Sequence, residues 1–503
     1  MNEYDVVIAG SGLGGLLSAV MLAKEGMRVA VIEQHKQIGG CLQTFSFRKK
    51  IFDSCVHYIG ALDKGQTQYR IFSYAGIMPD LKLKRLNRDG FDTVLFDDDA
   101  GSYPLAQGIE HFKASLSSYF KDSKEELDAY LKVMQDTCNS FPLYNLRNGD
   151  ASEKAGVSGL SLDDVMLQIK DEKLRNVLLG NSLLYAGSHS TTPFYVHALV
   201  SKSYLDSAYK CEGGSSQISK LLWKQLQSLG GVVYRNEKIL KLIEKDGRIV
   251  EAVAENGNRY TGRHFIANMH PATVMNLIES KMIKPVYRNR IKGAVNSISA
   301  FMMNIVLKPG TVVHPDRNYY WNRSGDSLAA IHYRPEEWPA NYALYFNEDK
   351  HCPGFAETVS ILTYMHVDEM KQWENTTNSA AKPEKRTRGY ELFKNQKAHL
   401  LLGHVAKRFP EIKENLLSFQ TASPLTFRDY MGSPDGSIYG IMADVKHAEK
   451  TSIPFRTKIP NLMLVGQNIG LHGVLGVSIN AIAVCGELIG LDYLLEKINK
   501  TSV

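Results

Sequence analysis

The first sixty residues constrain the fold more than any other stretch. Asp5-Val6-Val7-Ile8-Ala9 is a short apolar run, the pattern of a strand buried on both faces. Gly10-Ser11-Gly12-Leu13-Gly14-Gly15 then turns the chain. Leu16 to Gly26 reads as a helix, and Arg28 to Ile32 as a second strand ending at Glu33. This is a βαβ unit with G-x-G-x-x-G in its first turn. Gly10 allows the tight turn, Gly12 lets a pyrophosphate approach the backbone, and Gly15 lets the helix pack close to the strand. The helix N-terminus then offers unpaired N–H groups and a positive dipole end to phosphates. Glu33, with Gln34 beside it, stands where an acid meets a ribose 2′-OH, and an acid there disfavours a 2′-phosphate. A glycine-rich turn without a ligand would leave the flanking strands and the acid unexplained.

A chain of 503 residues is too long for one small core, so two domains are expected. Net charge is +6, spread thinly, and no Lys/Arg block marks a nucleic-acid face. Cys41, Cys55, Cys138, Cys211, Cys352 and Cys485 form no C-x-x-C pair and no zinc spacing, so no metal site is expected and the thiols read as reduced. The chain enters a strand by Asp5, which leaves no room for a signal peptide. The apolar stretch Leu462 to Leu495 is interrupted by Gln467, Asn468, His472, Asn480 and Glu487, so a buried strand and helix explain it better than a membrane span. The expected location is cytoplasmic, with peripheral membrane contact left open.

Further along, residues 76–204 break the dinucleotide pattern and read as a mainly helical insertion, with helical periodicity over 108–118, 124–138, 162–168 and 173–183. His189 and His197 lie in an aromatic segment of it, where either a catalytic or a scaffold role fits. Gln217 to Leu229 reads as a helix, Val232 to Tyr234 as a strand, and 236–260 as a three-strand antiparallel excursion with an Asp246-Gly247 turn. Strands are expected at 299–307, 328–333, 342–346 and 358–364, forming an antiparallel sheet that walls a cavity. The polar stretch Asn375 to Arg388 reads as a solvated or membrane-surface loop, and Tyr390 to Phe409 as a long helix.

Several motifs resemble one family. Gly39-Gly40 after Glu33 is similar to FAD-binding flavoproteins more than to NAD dehydrogenases. G-G-C-x-x-T-F at Gly39 to Phe45, then F-D-x-x-x-H-Y-I-G at Phe52 to Gly60, resembles the retinol saturase branch of the phytoene desaturase and carotenoid isomerase flavoproteins. Many amine-oxidase-like relatives have Arg where this chain has Cys41. Gly213-Gly214-Ser215-Ser216-Gln217-Ile218 fits a G-G-S-S-x-I pattern of the same branch. Ser423 to Thr426 and Ser437 to Gly440 resemble the flavin-lining stretch, and Gly466-Gln467-Asn468 stands where the family often has G-x-D.

The resemblance, which covers nearly the whole chain, implies an α/β fold. A Rossmann-type FAD-binding domain with a three-layer, parallel central sheet (1–75, 205–284, 421–503) would carry an inserted mixed α+β substrate domain (76–204, 285–420), as in amine oxidases and phytoene desaturases. FAD would bind non-covalently through Gly10, Gly12, Leu13, Gly14, Gly15, Glu33, Gln34, Gly39, Gly40, Cys41, Lys238, Gly466, Asn468, Gly473 and Val474. His57, Tyr58 and Tyr439 would face a substrate cavity, with His57 and Tyr58 as candidate proton donors. The implied chemistry is hydride transfer at a C=C bond of a lipophilic polyene or isoprenoid, most simply saturation. A desaturase and a redox-neutral cis-trans isomerase remain alternatives, as does a non-catalytic FAD-bound lipid escort. NAD(P)H and a quinone are both open as electron partner. Ile489 to Ile498 and Asn375 to Arg388 are the candidate membrane contacts.

Overall fold

The computed structural model describes residues 3–150, 152–323, 325–379 and 383–501. The strand Glu3–Ala9 forms because its valines and isoleucine can be buried on both faces. It pairs in parallel with Val29–Glu33 on one side and Arg259–Ala267 on the other, and Val232–Arg235 extends the sheet beyond Val29–Glu33. Between the first two strands runs the helix Leu13–Lys24. Every residue from Leu13 to Ala23 is buried, so this helix has no solvent face and is clamped between the helices Ser216–Ser228 and Gly473–Ile489.

Arg259–Ala267 serves two neighbours. Its first residues pair antiparallel with the hairpin Ile239–Lys245 and Arg248–Ala254, and Phe265–Ala267 pair in parallel with Leu462–Leu464. The hairpin turn is Asp246-Gly247, both with positive φ, as a two-residue turn between twisted strands requires. The ends of Glu3–Ala9, Val29–Glu33, Arg259–Ala267 and Leu462–Leu464 thus deliver four loops to one edge. In such parallel sheets ligands sit at the carboxyl ends of the strands.

A second sheet has seven strands, in the order Leu416–Ala422, Ser299–Leu307, Ala356–Met365, Asn341–Glu348, Asn318–Asn322, Asp92–Phe96 and Asp99–Leu105. Two features differ from expectation. The 76–204 segment is not only helical, since it contributes Asp92–Phe96, which pairs in parallel with Asn318–Asn322 from the later insertion. One sheet is therefore assembled from two distant stretches. Residues 328–333, expected as a strand, lie instead in a 3₁₀ turn, Ser327–His332. The Asp326 carboxylate accepts from the Leu328 and Ala329 N–H groups and so starts a helical turn.

The candidate membrane contacts also take a different form. In the terminal helix Leu491–Lys500, Leu494, Leu495 and Ile498 are buried against the rest of the protein, so its apolar face is already covered. In the 375–388 stretch, of which 380–382 lie outside the described residues, Arg386 and Asp429 form a nearly solvent-free ion pair that ties the loop to the helix Pro424–Met431. No helix of the described residues is long and apolar enough to cross a membrane.

Candidate active site

Three glycine turns meet around one side chain. Asn268 follows the strand Arg259–Ala267, and its N–H donates to the Ala9 carbonyl. Its side-chain amide donates to the Gly10 carbonyl at 3.3 Å. A Cβ at Gly10 would lie 2.5 Å from the Asn268 carbonyl oxygen, and Gly10 has φ +101°. A Cβ at Gly12 or at Gly466 would lie 2.8 or 2.7 Å from the Asn268 side-chain amide. The Gly39-Gly40 turn comes alongside through a bridge from Gly12 to Gly39. Glycine here is a requirement of close approach, as the spacing of the first turn implies. The central position of Asn268 was not legible in the sequence.

These turns open into a cavity of about 710 Å³, inside the usual ~300–1,000 Å³ of small-molecule and cofactor sites. Gly10, Gly12, Leu13, Gly14, Glu33, Gln34, Gly39, Gly40, Cys41, Lys238, Gly466, Asn468, Gly473 and Val474 all line it. Gly15 does not line it and instead packs the helix onto the strand, its Cβ position lying only 2.1 Å from the Gly10 carbonyl oxygen. Glu33 is buried. Its Oε2 accepts from the Ser11 N–H at 2.9 Å and the Ser11 hydroxyl at 2.6 Å, and its Oε1 accepts from the His35 N–H at 2.8 Å. A carboxylate has about four acceptor positions, so it retains capacity for a ribose hydroxyl. Asn468 Oδ1 accepts from the Ile441 N–H at 3.0 Å, which ties the two cavity-lining stretches together. The Cys41 thiol lies 3.5 Å from Met431 Sδ, and the Cys55 thiol 3.9 Å from the same sulfur. The hydrogen bond with Cys55 lowers the Cys41 pKa and raises that of Cys55.

The far end of the cavity is aromatic and apolar. His57 stacks on Tyr345 with centroids 4.1 Å apart and rings 5° from parallel. Tyr58 lies against Tyr204 at 4.5 Å, and Tyr439 against His472 at 4.6 Å. All six rings line the cavity, together with Met302 and Leu362. His57, Tyr58 and Tyr439 therefore come together as expected, while Tyr204, Tyr345 and His472 were not anticipated. Tyr204 and Tyr345 carry no motif. His472 sits at the N-cap of the helix Gly473–Ile489, and that position could have flagged it.

The chemistry of His57 and Tyr58 differs from the sequence reading. Burial, reinforced by Lys210, pushes the His57 imidazole down to about 3, so it is neutral at pH 7 and has no imidazolium proton to give. Its Nε2 is buried without a hydrogen-bond partner at the cavity wall. The Tyr58 hydroxyl is turned behind the wall, where it donates to Asp92 Oδ2 at 2.8 Å and meets the Tyr320 hydroxyl at 2.8 Å. Asp53 likewise does not face the cavity. Its buried Oδ1 accepts from both the Ser215 N–H and hydroxyl at 2.7 Å, at the start of the helix Ser216–Ser228. The F-D and G-G-S-S motifs are thus two halves of one contact.

His189 and His197 do not line the cavity. His197 has no exposure, and its two ring nitrogens bond the Tyr130 and Tyr185 hydroxyls at 2.7 and 2.8 Å. His189 bridges Asp163 and Asp326 away from the cavity.

Comparison with known proteins agrees with this geometry. Residues 8–75 match the NAD(P)-binding Rossmann-like domain family. Human all-trans-retinol 13,14-reductase is 26% identical across 94% of this chain and 84% of its own length. Prolycopene isomerase 1 from an Oncidium hybrid cultivar is 24% identical across 99% of this chain and 85% of its own. The chain matches the retinol saturase, carotenoid isomerase and desaturase family. Its fold is also that of putrescine oxidase in the putrescine-bound form, with a TM-score of 0.65 at 14% identity over 97% of this chain and 99% of that one. In this chain the glycine turns and Glu33 line one end of the cavity. The helix Gly473–Ile489 points its N-terminus at the middle, and the unpartnered His57 Nε2 lies at the other end. The donor set fits FAD.

Proposed function

We propose that this chain is an FAD-dependent oxidoreductase that saturates a C=C bond of a lipophilic polyene or isoprenoid. The observation that carries the reading is the continuity of one cavity, from the glycine turns to a wall of six aromatic rings with Met302 and Leu362. When bound, FAD supplies a hydride to one alkene carbon. The chain does the rest. The backbone at Gly10, Gly12, Gly39 and Gly40 cradles phosphates, and Glu33 holds a ribose. The apolar far end takes a polyene and excludes water, which strengthens every hydrogen bond inside. His57, neutral and stacked, is a hydrogen-bonding group rather than an acid. The two sheets correspond in this reading to an FAD-binding and a substrate-binding part of the chain.

A redox-neutral isomerase is the second reading, favoured by the likeness to prolycopene isomerase along 99% of the chain. One experiment separates the two. The FAD-bound protein is photoreduced without oxygen, then mixed with all-trans-retinol or with prolycopene. Return of the oxidised flavin spectrum, with a product two hydrogens heavier, supports the saturase. An isomer formed while the flavin stays reduced supports the isomerase. Binding with neither change leaves a lipid-holding protein and overturns both.

A further inference from the structure

Behind the aromatic wall lies a group that the cofactor site does not use. Asp92 is fully buried at the start of the strand Asp92–Phe96, and the three donors that reach it are all neutral. Asn318 donates to its Oδ1 at 2.9 Å, while the Tyr58 hydroxyl at 2.8 Å and the Asn181 amide at 3.2 Å donate to its Oδ2. From Tyr58 the chain of hydroxyls continues to Tyr320 at 2.8 Å and from Tyr320 to Tyr345 at 3.1 Å. Tyr58 and Tyr345 line the cavity, whereas Asp92 and Tyr320 stand behind it. Four phenols face Asp92, those of Tyr58, Tyr204, Tyr320 and Tyr345, and each titrates far above neutrality because of burial.

We propose that Asp92 is the proton store of this site, supplying the cavity through the hydroxyl chain Tyr58, Tyr320 and Tyr345. The proposal rests on the reductase reading above. Addition of a hydride to one alkene carbon moves the π pair to the other carbon, which must then take a proton. The Tyr345 O–H bond breaks as the new C–H bond forms. Tyr345 takes a proton from Tyr320, Tyr320 from Tyr58, and Tyr58 from the protonated Asp92 carboxyl, whose O–H donates to Tyr58 in that state. Each phenol ends neutral with its O–H turned around, Asp92 ends as a carboxylate accepting from Tyr58, and a proton from water in the emptied cavity returns along the same hydroxyls between turnovers. A phenol alone would serve badly, since burial holds its proton too tightly. His57 cannot serve as an imidazolium. Burial raises the Asp92 carboxyl to about 7 against the pull of Asn318, Tyr58 and Asn181, a value at which a group can both give and recover a proton.

The test uses the FAD-bound full chain and does not begin from turnover. Infrared difference spectra across pH 5–9 should show a protonated carboxyl band that titrates near neutrality, is missing in Asp92→Asn, and shifts in Tyr58→Phe. Absence of such a band, or its persistence in Asp92→Asn, overturns the proposal. In the second arm, reoxidation of photoreduced flavin by all-trans-retinol should slow as pH rises through the same midpoint. Asp92→Asn and Tyr320→Phe, neither in the cavity wall, should be slower by about 10²-fold and lose that pH dependence. Either variant keeping the wild-type pH profile would also overturn it. If all-trans-retinol does not reoxidise the wild-type flavin, the reductase reading and the proton's destination fail together. The carboxyl band then still decides whether Asp92 holds a proton.

Discussion

Adding one methyl group at Gly15 tests the glycine geometry most directly. A Cβ there would lie 2.1 Å from the Gly10 carbonyl oxygen, 3.1 Å from Asn268 Nδ2 and 3.3 Å from Asn268 Cβ. Non-bonded heavy atoms settle at about 3.5 Å, so the helix Leu13–Lys24 must withdraw by about 1 Å or more. It has nowhere free to go. Leu16, Ala19 and Val20 are wholly buried, and two helices press on it from the far side. Such overpacking costs about 1–3 kcal/mol. The same withdrawal pulls the helix N-terminus away from the phosphates, and at 1.4 kcal/mol per tenfold the FAD affinity should fall by roughly 10- to 100-fold. The assay is titration of apoprotein with FAD by quenching of flavin fluorescence, beside urea unfolding of the same samples. Gly403→Ala is the control. It lies exposed in the helix Arg388–Val405 with no atom near its Cβ position, and it should stabilise by about 0.5–1 kcal/mol. Gly15→Ala with unchanged FAD affinity and an unchanged urea midpoint would refute the packing argument.

Three other outcomes are expected. Asp53→Ala leaves the Ser215 N–H and hydroxyl without their acceptor and should cost about 1–3 kcal/mol in urea unfolding. Arg386→Ala removes one of two guanidinium partners of the Asp429 carboxylate, which keeps Arg428 at 2.8 Å, and should cost about 1–3 kcal/mol in urea unfolding; Arg386→Ala together with Asp429→Ala should recover part of it. Asp92 also predicts a pH dependence of stability. Its folded value of about 7 is raised above the ordinary 3.8 by burial, so its contribution is fully present below the unfolded value and is lost as pH rises towards 7. The loss is at most roughly 4 kcal/mol. Relative to wild type, Asp92→Asn should therefore gain stability between about pH 4 and 7 and level off above, as read from urea midpoints at each pH.

Local spacing determined the cofactor end of this protein. The demand on Gly15 is set by the Gly10 carbonyl five residues away and those on Gly10 and Gly12 by Asn268 at the end of the neighbouring strand, and G-x-G-x-x-G between two apolar runs announced all three. The helix that begins at Ser216 and the hairpin turned by Asp246-Gly247 were legible for the same reason. The buried polar network behind the aromatic wall was decided by tertiary structure. Asp92 reaches Tyr58, Tyr320 and Tyr345 only because the strands Asp92–Phe96 and Asn318–Asn322, more than two hundred residues apart, pair in parallel in one sheet. No periodicity encodes that pairing. The protonation of His57 was likewise invisible, because an imidazole in sequence has its ordinary value and only enclosure by Tyr345 and the neighbouring walls removes its proton. Phosphate cradles are made from backbone shape, which short sequence patterns dictate. Proton stores are made from burial, which only the assembled molecule possesses.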